Sequence, residues 1–153
     1  MRMEIERKFL IKDESWRAEA GDGMACRQGY LVRDPQQTVR VRIMDGEGFL
    51  TIKGASEGLG RAEFEYNIPV SDAEELLQRC GALIEKMRYI IPFAGMTWEL
   101  DVFAGENRGL VLAEIELESE DQPFDRPAWA GEEVTADPRY YNAYLAQHPF
   151  TAW

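Results

Sequence analysis

Along most of the chain, apolar and polar side chains alternate with a period of two, the pattern of strands that send successive residues to opposite faces. The alternation recurs over residues 3–11, 24–33, 38–44, 48–54, 61–69, 83–92, 96–103 and 110–118. Eight strands are compatible with closure into a barrel. Turn chemistry separates them at Asp34-Pro35, Asp45-Gly46, the glycine-bearing stretch 54–60 and Ala94-Gly95, and connections this short favour antiparallel neighbours. Two helices interrupt the pattern. Ser71 is placed to cap a segment over 72–80 with an acidic first turn and an apolar side of Leu76, Leu77 and Cys80, ended by Gly81. Pro138 precedes a second helical segment, with Tyr140, Tyr141, Tyr144 and Leu145 at helical spacing. A shorter helical signal covers 14–19. The predicted fold is mainly β with a few helices (α+β), in one domain over residues 1–153.

Within the alternation, the polar parity consists almost entirely of full charges. Glu4, Glu6 and Lys8 oppose Met3, Ile5 and Phe9; Arg40 and Arg42 oppose Val39, Val41 and Ile43; Lys53 opposes Leu50 and Ile52. Further on, Glu63 with Glu65, Lys86 with Arg88, Glu99 with Asp101, and Glu114 with Glu116 each share a face. A half-exposed sheet whose solvated face carries ion pairs of little net value accounts for alternation alone. Three features favour a different reading. The charged face is rich in full charges and poor in Ser, Thr, Asn and Gln, which a solvated face has no need to exclude. Cations cluster by strand. Acids come as i, i+2 pairs that repel one another unless a cation lies between them, and such pairs suit a hard metal ion with oxygen ligands. Closed with this face inward, the sheet becomes a charged tunnel. Buried ions left unpaired cost on the order of several kcal/mol each, so a polyanion and its metal supply the missing partners.

Composition narrows the function further. At 153 residues, with 45% hydrophobic and 29% charged, the chain is long enough to bury a core. A formal charge of -11 repels a nucleic-acid backbone, and no long basic run offsets it. Charges in MRMEIERKFL occupy the place where a secretory signal needs its apolar stretch, and no apolar run reaches membrane-spanning length. No nucleic acid, no membrane and a cytoplasmic location are therefore expected. Cys26 and Cys80 lack metal or redox spacing and are expected reduced. His148 is the one histidine, which leaves Ser-His-Asp and Cys-His schemes with a single residue beside Pro149. Glycines 54, 58 and 60 spell no phosphate-binding P-loop. Tyr30 fits a packed aromatic better than a substrate contact.

The N-terminal MEIERKFLI, with Glu4, Glu6 and Lys8, resembles the ExExK signature of the CYTH superfamily, the triphosphate tunnel metalloenzymes. The resemblance continues in order through VRVRI, LTIK, EFEY, EKMRY, ELDVF and AEIELES. It implies an eight-stranded antiparallel closed β-barrel, the triphosphate tunnel, with a charged interior and helices packed outside. It also implies metal-dependent hydrolysis of inorganic triphosphate, or another short polyphosphate, to diphosphate and orthophosphate, with weaker action on nucleoside triphosphates. Glu4, Glu6 and Glu116 would face the principal Mg²⁺ or Mn²⁺, with Asp101 and Glu114 in its outer shell or on a second ion. Lys8, Arg40, Arg42, Lys53, Lys86 and Arg88 match phosphate-binding positions. The candidate catalytic residues are Lys8 and, as the group that orients water, one of Glu63, Glu65 and Glu114. In some bacterial relatives a C-terminal helix plugs one tunnel end. Adenylate cyclisation of the class IV type and non-enzymatic polyphosphate binding remain alternatives, and a homodimer stays open beside a monomer.

Overall fold

The computed structural model describes residues 1–153. Nine strands form: β1 Arg2–Ile11, β2 Met24–Asp34, β3 Gln37–Met44, β4 Glu47–Gly54, β5 Gly60–Ile68, β6 Ile84–Phe93, β7 Met96–Phe103, β8 Val111–Leu117 and β9 Ala130–Glu133. The first eight lie where the alternation predicts them. They pair antiparallel in the order β5-β4-β3-β2-β6-β7-β8-β1, and β1 pairs again with β5. That last pairing, from Arg2 opposite Glu63 to Ile5 opposite Gly60, closes the sheet into a ring of eight strands. No edge is left between them, so closure also removes a template for pairing with other chains. Beyond Ile5 the first strand outruns β5, and the freed edge takes up β9 at Phe9 and Ile11. Nothing in the AGEE of β9 alternates, which is why periodicity misses it.

Turn residues behave as their types require. Asp45 and Gly46 (φ 52° and 76°), and Ala94 and Gly95 (φ 49° and 77°), put two successive residues in the left-handed region. That is the backbone of a two-residue hairpin whose twist matches its strands. The helices depart from expectation. Helix α1 spans Val70–Leu77 with Pro69, not Ser71, at its N-cap. A proline there fixes φ and forgoes an N–H that the first turn could not satisfy anyway. Near the C-terminus the continuous helix splits into a 3-10 turn, Pro138–Tyr140, and a short α2, Asn142–Leu145. Tyr141 between them is extended (φ -75°, ψ 136°), and the break lets both Tyr140 and Leu145 bury. The short signal over 14–19 is a 3-10 turn, Ser15–Ala18, that buries Trp16.

Apolar packing lies mainly outside the ring. On the outer face of β1, β6, β7 and β8, Phe9, Ile91, Trp98, Leu100 and Ile115 are covered by Trp16, Trp129 and Ala130. Trp98 is the hub, its ring 5.4 Å from Phe9, 5.9 Å from Phe124 and 5.6 Å from Trp129. Across the ring, Val41 of β3 packs under Ala73 and Leu77 of α1. A third cluster sits inside one mouth. There Tyr30, Ile84, Phe103 and Leu112, which share the inward parity, meet Tyr140, Leu145 and Ala146. Thus α1 packs outside as expected, whereas α2 is seated on the tunnel's own end. No helix is long and apolar enough to cross a membrane.

Because Trp98 joins three aromatic neighbours in the outer core, Trp98→Ala is expected to lower the unfolding free energy by about 3–5 kcal/mol. Urea denaturation followed by circular dichroism reads this directly, and a change below 1 kcal/mol would contradict the packing described.

Candidate active site

Ring order sorts the inward charges. The strands β7, β8, β1 and β5 are consecutive around the ring and carry Glu99, Asp101, Glu114, Glu116, Glu4, Glu6, Glu63 and Glu65. Of the other consecutive four, β4, β3, β2 and β6, three carry cations: Lys53 on β4, Arg40 and Arg42 on β3, and Lys86 and Arg88 on β6. The lumen therefore has an acidic wall and a basic wall. Lys8, opposite Glu114 in the register of β1 and β8, is a buried cation within the acidic wall, and Arg2 of β1 and Arg61 of β5 share the charged parity of their strands.

Most of these groups are withdrawn from solvent: Glu4, Lys8, Arg40, Arg42, Glu63, Lys86, Arg88, Asp101 and Glu114 are all buried. Where the walls meet, ion pairs form. Asp101, 1% exposed, accepts from Arg88 Nε (2.8 Å) and Nη2 (2.9 Å) and lies 2.8 Å from Lys86 Nζ. Arg88 also donates to Glu99 at 2.8 Å. Burial opposes ionisation of Asp101, but Lys86 and Arg88 outweigh it and hold its carboxyl well below the usual range. Lys53 reaches across β5 to both oxygens of Glu4 at 2.7 and 3.0 Å, and lies 3.5 Å from Glu63. Glu63 also faces Arg2 at 2.8 Å; burial alone would raise its carboxyl, yet Lys53 and Arg2 help to hold it low. Lys8 Nζ lies 3.5 Å from Glu114 and 3.3 Å from the Tyr140 carbonyl.

Two regions stay under-compensated. On the basic wall Arg40 and Arg42 share one carboxylate, Glu65, at 3.8 and 3.9 Å. Both Nε atoms are buried without a partner. Burial, then the charges of Arg40 and Arg88, pull Arg42 down to about 10. On the acidic wall Glu6 stands directly opposite Glu116. Burial within the protein, then the nearby charge of Glu114, push the Glu6 carboxyl up to about 8; Glu116 is raised as well, by burial and by Glu4 and Glu63. One wall thus lacks anions and the other lacks cations.

The sequence profile of the CYTH domain matches residues 2–142. The chain belongs to the CYTH family. It is 47% identical over 152 residues to the inorganic triphosphatase of Acetivibrio thermocellus, covering 98% of this chain and 97% of that one. It is 43% identical to the inorganic triphosphatase of Nitrosomonas europaea, covering 94% and 96%. Among solved structures, the inorganic triphosphatase NE1496 shares 41% identity and a TM-score of 0.66 over 95% of each chain.

The CYTH tunnel brings the expected residues to one lumen, with different degrees of freedom. Asp101 is fully engaged by Lys86 and Arg88, and Glu4 by Lys53, so both are spoken for by cations rather than facing other acids. No three carboxylates stand together as a ready metal cluster. Glu65 is the half-open member of its pair, at 34% side-chain exposure. Several inward residues escape a reading centred on paired charges. Thr51 accepts from Arg40 (3.3 Å) and donates to Glu65 (3.2 Å). Gln28 is fully buried with an unpartnered Nε2. Arg2 and Arg61 lie on the charged parity of β1 and β5, so the same parity rule locates them. Asn142, which accepts from Lys86 at 3.3 Å, carries no such signal.

A carboxyl whose folded pKa is raised favours the folded state below its ordinary value and loses that contribution as pH climbs through the shifted one. For Glu6 the window runs from about 4.5 to about 8. Metal-free protein is therefore expected to lose thermal stability across this range, with a visibly shallower loss in Glu6→Gln. Identical slopes of Tm against pH in the two proteins would remove Glu6 as the source.

Proposed function

We propose that the chain hydrolyses inorganic triphosphate to diphosphate and orthophosphate, with weaker action on nucleoside triphosphates. One observation carries this reading: two buried arginines, Arg40 and Arg42, with unpartnered Nε atoms and a single shared carboxylate, inside a lumen that also holds Lys53, Lys86 and Arg88. Such a set asks for a chain of phosphates. Guanidinium forks match phosphate oxygens in pairs, while lysines contribute compact charge. The triphosphatase names carried by its 47% and 43% identical relatives point the same way.

The acidic wall suits a hard divalent cation, Mg²⁺ or Mn²⁺. Its donors are all carboxylate oxygens, and the raised Glu6 and Glu116 mark negative charge that the protein leaves uncompensated. Glu6 and Glu116 would be its principal ligands, with Glu4 and Glu114 beside them, while Asp101 fixes Lys86 and Arg88. Since Mg²⁺ binds through one or two carboxylates together with water and phosphate oxygens, a preformed cluster of three is not required. When bound, the ion neutralises phosphate oxygens and aligns the scissile bond.

The chain's own residues do the rest. Arg40, Arg42 and Lys53 hold one end of the triphosphate, and Lys86 with Arg88 the other, so that a terminal phosphorus faces water in the lumen. Lys8, locked by Glu114 and the Tyr140 carbonyl, places its ammonium where charge builds on the transferred group. Water's oxygen bonds to that phosphorus as the bridging P–O bond breaks, and the bridging oxygen leaves on diphosphate. Of the three carboxylates that could orient the water, Glu63 and Glu114 are tied to cations and held low, Glu114 at about 2 despite its burial because Lys8 and Arg88 are close. Glu65 keeps two long contacts, to Arg40 and Arg42, and one hydrogen bond from the Thr51 hydroxyl. It is the best placed to take the proton. Positioning and charge stabilisation are what phosphoryl transfer needs most.

Phosphate release from triphosphate, ATP and longer polyphosphate, each with Mg²⁺ and with Mn²⁺, tests the proposal. Triphosphate should be the best substrate, and chelation should abolish turnover. Arg42→Ala should lower kcat/KM about 10- to 100-fold, the loss of one charge-assisted contact worth ~1.5–3 kcal/mol. Wild-type turnover in Arg42→Ala, or release that ignores chelation, would refute it.

A further inference from the structure

The acids that face the lumen differ in the freedom of the cations that hold them. Asp101 is paired with Lys86 and Arg88, and Glu114 with Lys8, all of them buried. Glu4 is paired with Lys53, whose side chain is 15% exposed. None of these cations can leave its carboxylate without being stranded inside the ring, where an unpaired charge is costly. Glu116 is the exception. Its ion pair is with Arg2, 2.7 Å from Nη1 to Oε1, and that arginine is 57% exposed.

The placement of Arg2 accounts for this. It opens β1, at the end of the strand remote from the apolar mouth against which Leu10 packs. In the ring β1 stands between β5 and β8, and the one guanidinium reaches both neighbours. Its Nε and Nη2 lie 2.9 and 2.8 Å from Glu63 Oε1 of β5, while Nη1 turns to Glu116 of β8. Two donors therefore anchor Arg2 on the buried Glu63, and a single one holds Glu116. Glu116 in turn stands opposite Glu6, whose own cation, Lys8, is 4.0 Å away. A divalent ion taken up between Glu6 and Glu116 meets one close competitor, and that competitor has solvent to retreat into.

We propose that Arg2 is a displaceable counter-ion of the metal site: it occupies Glu116 while no divalent cation is present, yields it on a pivot at Glu63, and so sets the concentration at which the site fills. This rests on Glu6 and Glu116 being metal ligands, as inferred above. Exposed ion pairs are weak, which suits a partner that must give way. A buried partner such as Lys53 would keep its carboxylate closed. The rival role for Arg2 is a grip on phosphate, but it lies off the basic wall and outside the cavity that joins Lys8, Arg40 and Lys53.

Binding of Mn²⁺ to the full chain without phosphate, read as free Mn²⁺ by electron paramagnetic resonance, tests this apart from turnover. Arg2→Gln should bind Mn²⁺ about two- to fivefold tighter than wild type, the span of a partly exposed ion pair. Arg2→Lys should fall between the two, because an ammonium keeps the charge but has no planar fork to span both carboxylates. Glu116→Gln should weaken binding, and adding Arg2→Gln to it should change little more, since the competitor then has nothing to release. Unchanged affinity in Arg2→Gln beside a weakened Glu116→Gln would overturn the counter-ion and leave Glu116 a ligand. A gain that persists in the Glu116→Gln background would overturn it too, assigning the effect to the charge of Arg2 at a distance. Wild-type affinity in Glu116→Gln would remove the ligand assignment and the counter-ion together. An affinity that depends on Arg2 through Glu116, in a chain that hydrolyses no triphosphate, would uphold the counter-ion while removing the catalytic reading.

Discussion

Electrostatic self-repulsion inside a closed ring is the constraint from which the rest of this structure follows. Eight inward carboxylates occupy four consecutive strands, and five inward cations occupy three of the other four. Neutralisation is possible chiefly at the seams, where Asp101 meets Lys86 and Arg88, and where Lys53 reaches Glu4. Away from the seams, Glu6 faces Glu116, and Arg40 stands beside Arg42 with little to balance them. Interspersing opposite charges along each strand would relieve this repulsion. Their segregation leaves one surface ready for a cation and the opposing one ready for an anion, which is the arrangement a metal-bound polyphosphate complements.

A lumen of this kind contributes little to folding, so stability has to come from elsewhere. The outer faces carry it: the aromatic cluster around Trp98 on one side of the ring, and α1 on Val41 on the other. Conventional hydrophobic layering is thus turned outward. The C-terminal segment links the two regimes, because its apolar side chains fill part of one mouth while Asn142 and the Tyr140 carbonyl hold Lys86 and Lys8. Packing at the mouth and the placement of two lumen-facing cations are therefore one structural event.

Much of this is legible in the sequence because a strand's period of two is enforced residue by residue. It marks all eight ring strands and assigns Glu4, Glu6, Lys8, Arg40, Arg42, Lys53 and the later pairs to a shared side. Neighbour relations are another matter. Alternation in β1 and β5 says nothing of their pairing, so closure could be inferred from the chemistry of the face and from family likeness but not from period. Local helix signals failed where tertiary packing prevailed. The tyrosine spacing after Pro138 is helical, yet burying both Tyr140 and Leu145 required an extended Tyr141. Arg61 and Thr51 lie on the charged parity too, but a lone arginine beside an alanine and a threonine beside a leucine lack the paired like charges that mark the other inward residues.

Electron density for triphosphate in crystals of the chain grown with a divalent cation is the most direct test of the account. The phosphate chain should lie within the ring, with oxygens against Arg40, Arg42 and Arg88 and with the cation between it and Glu6 and Glu116. Triphosphate bound on the outer surface, with those arginines left facing one another, would contradict it.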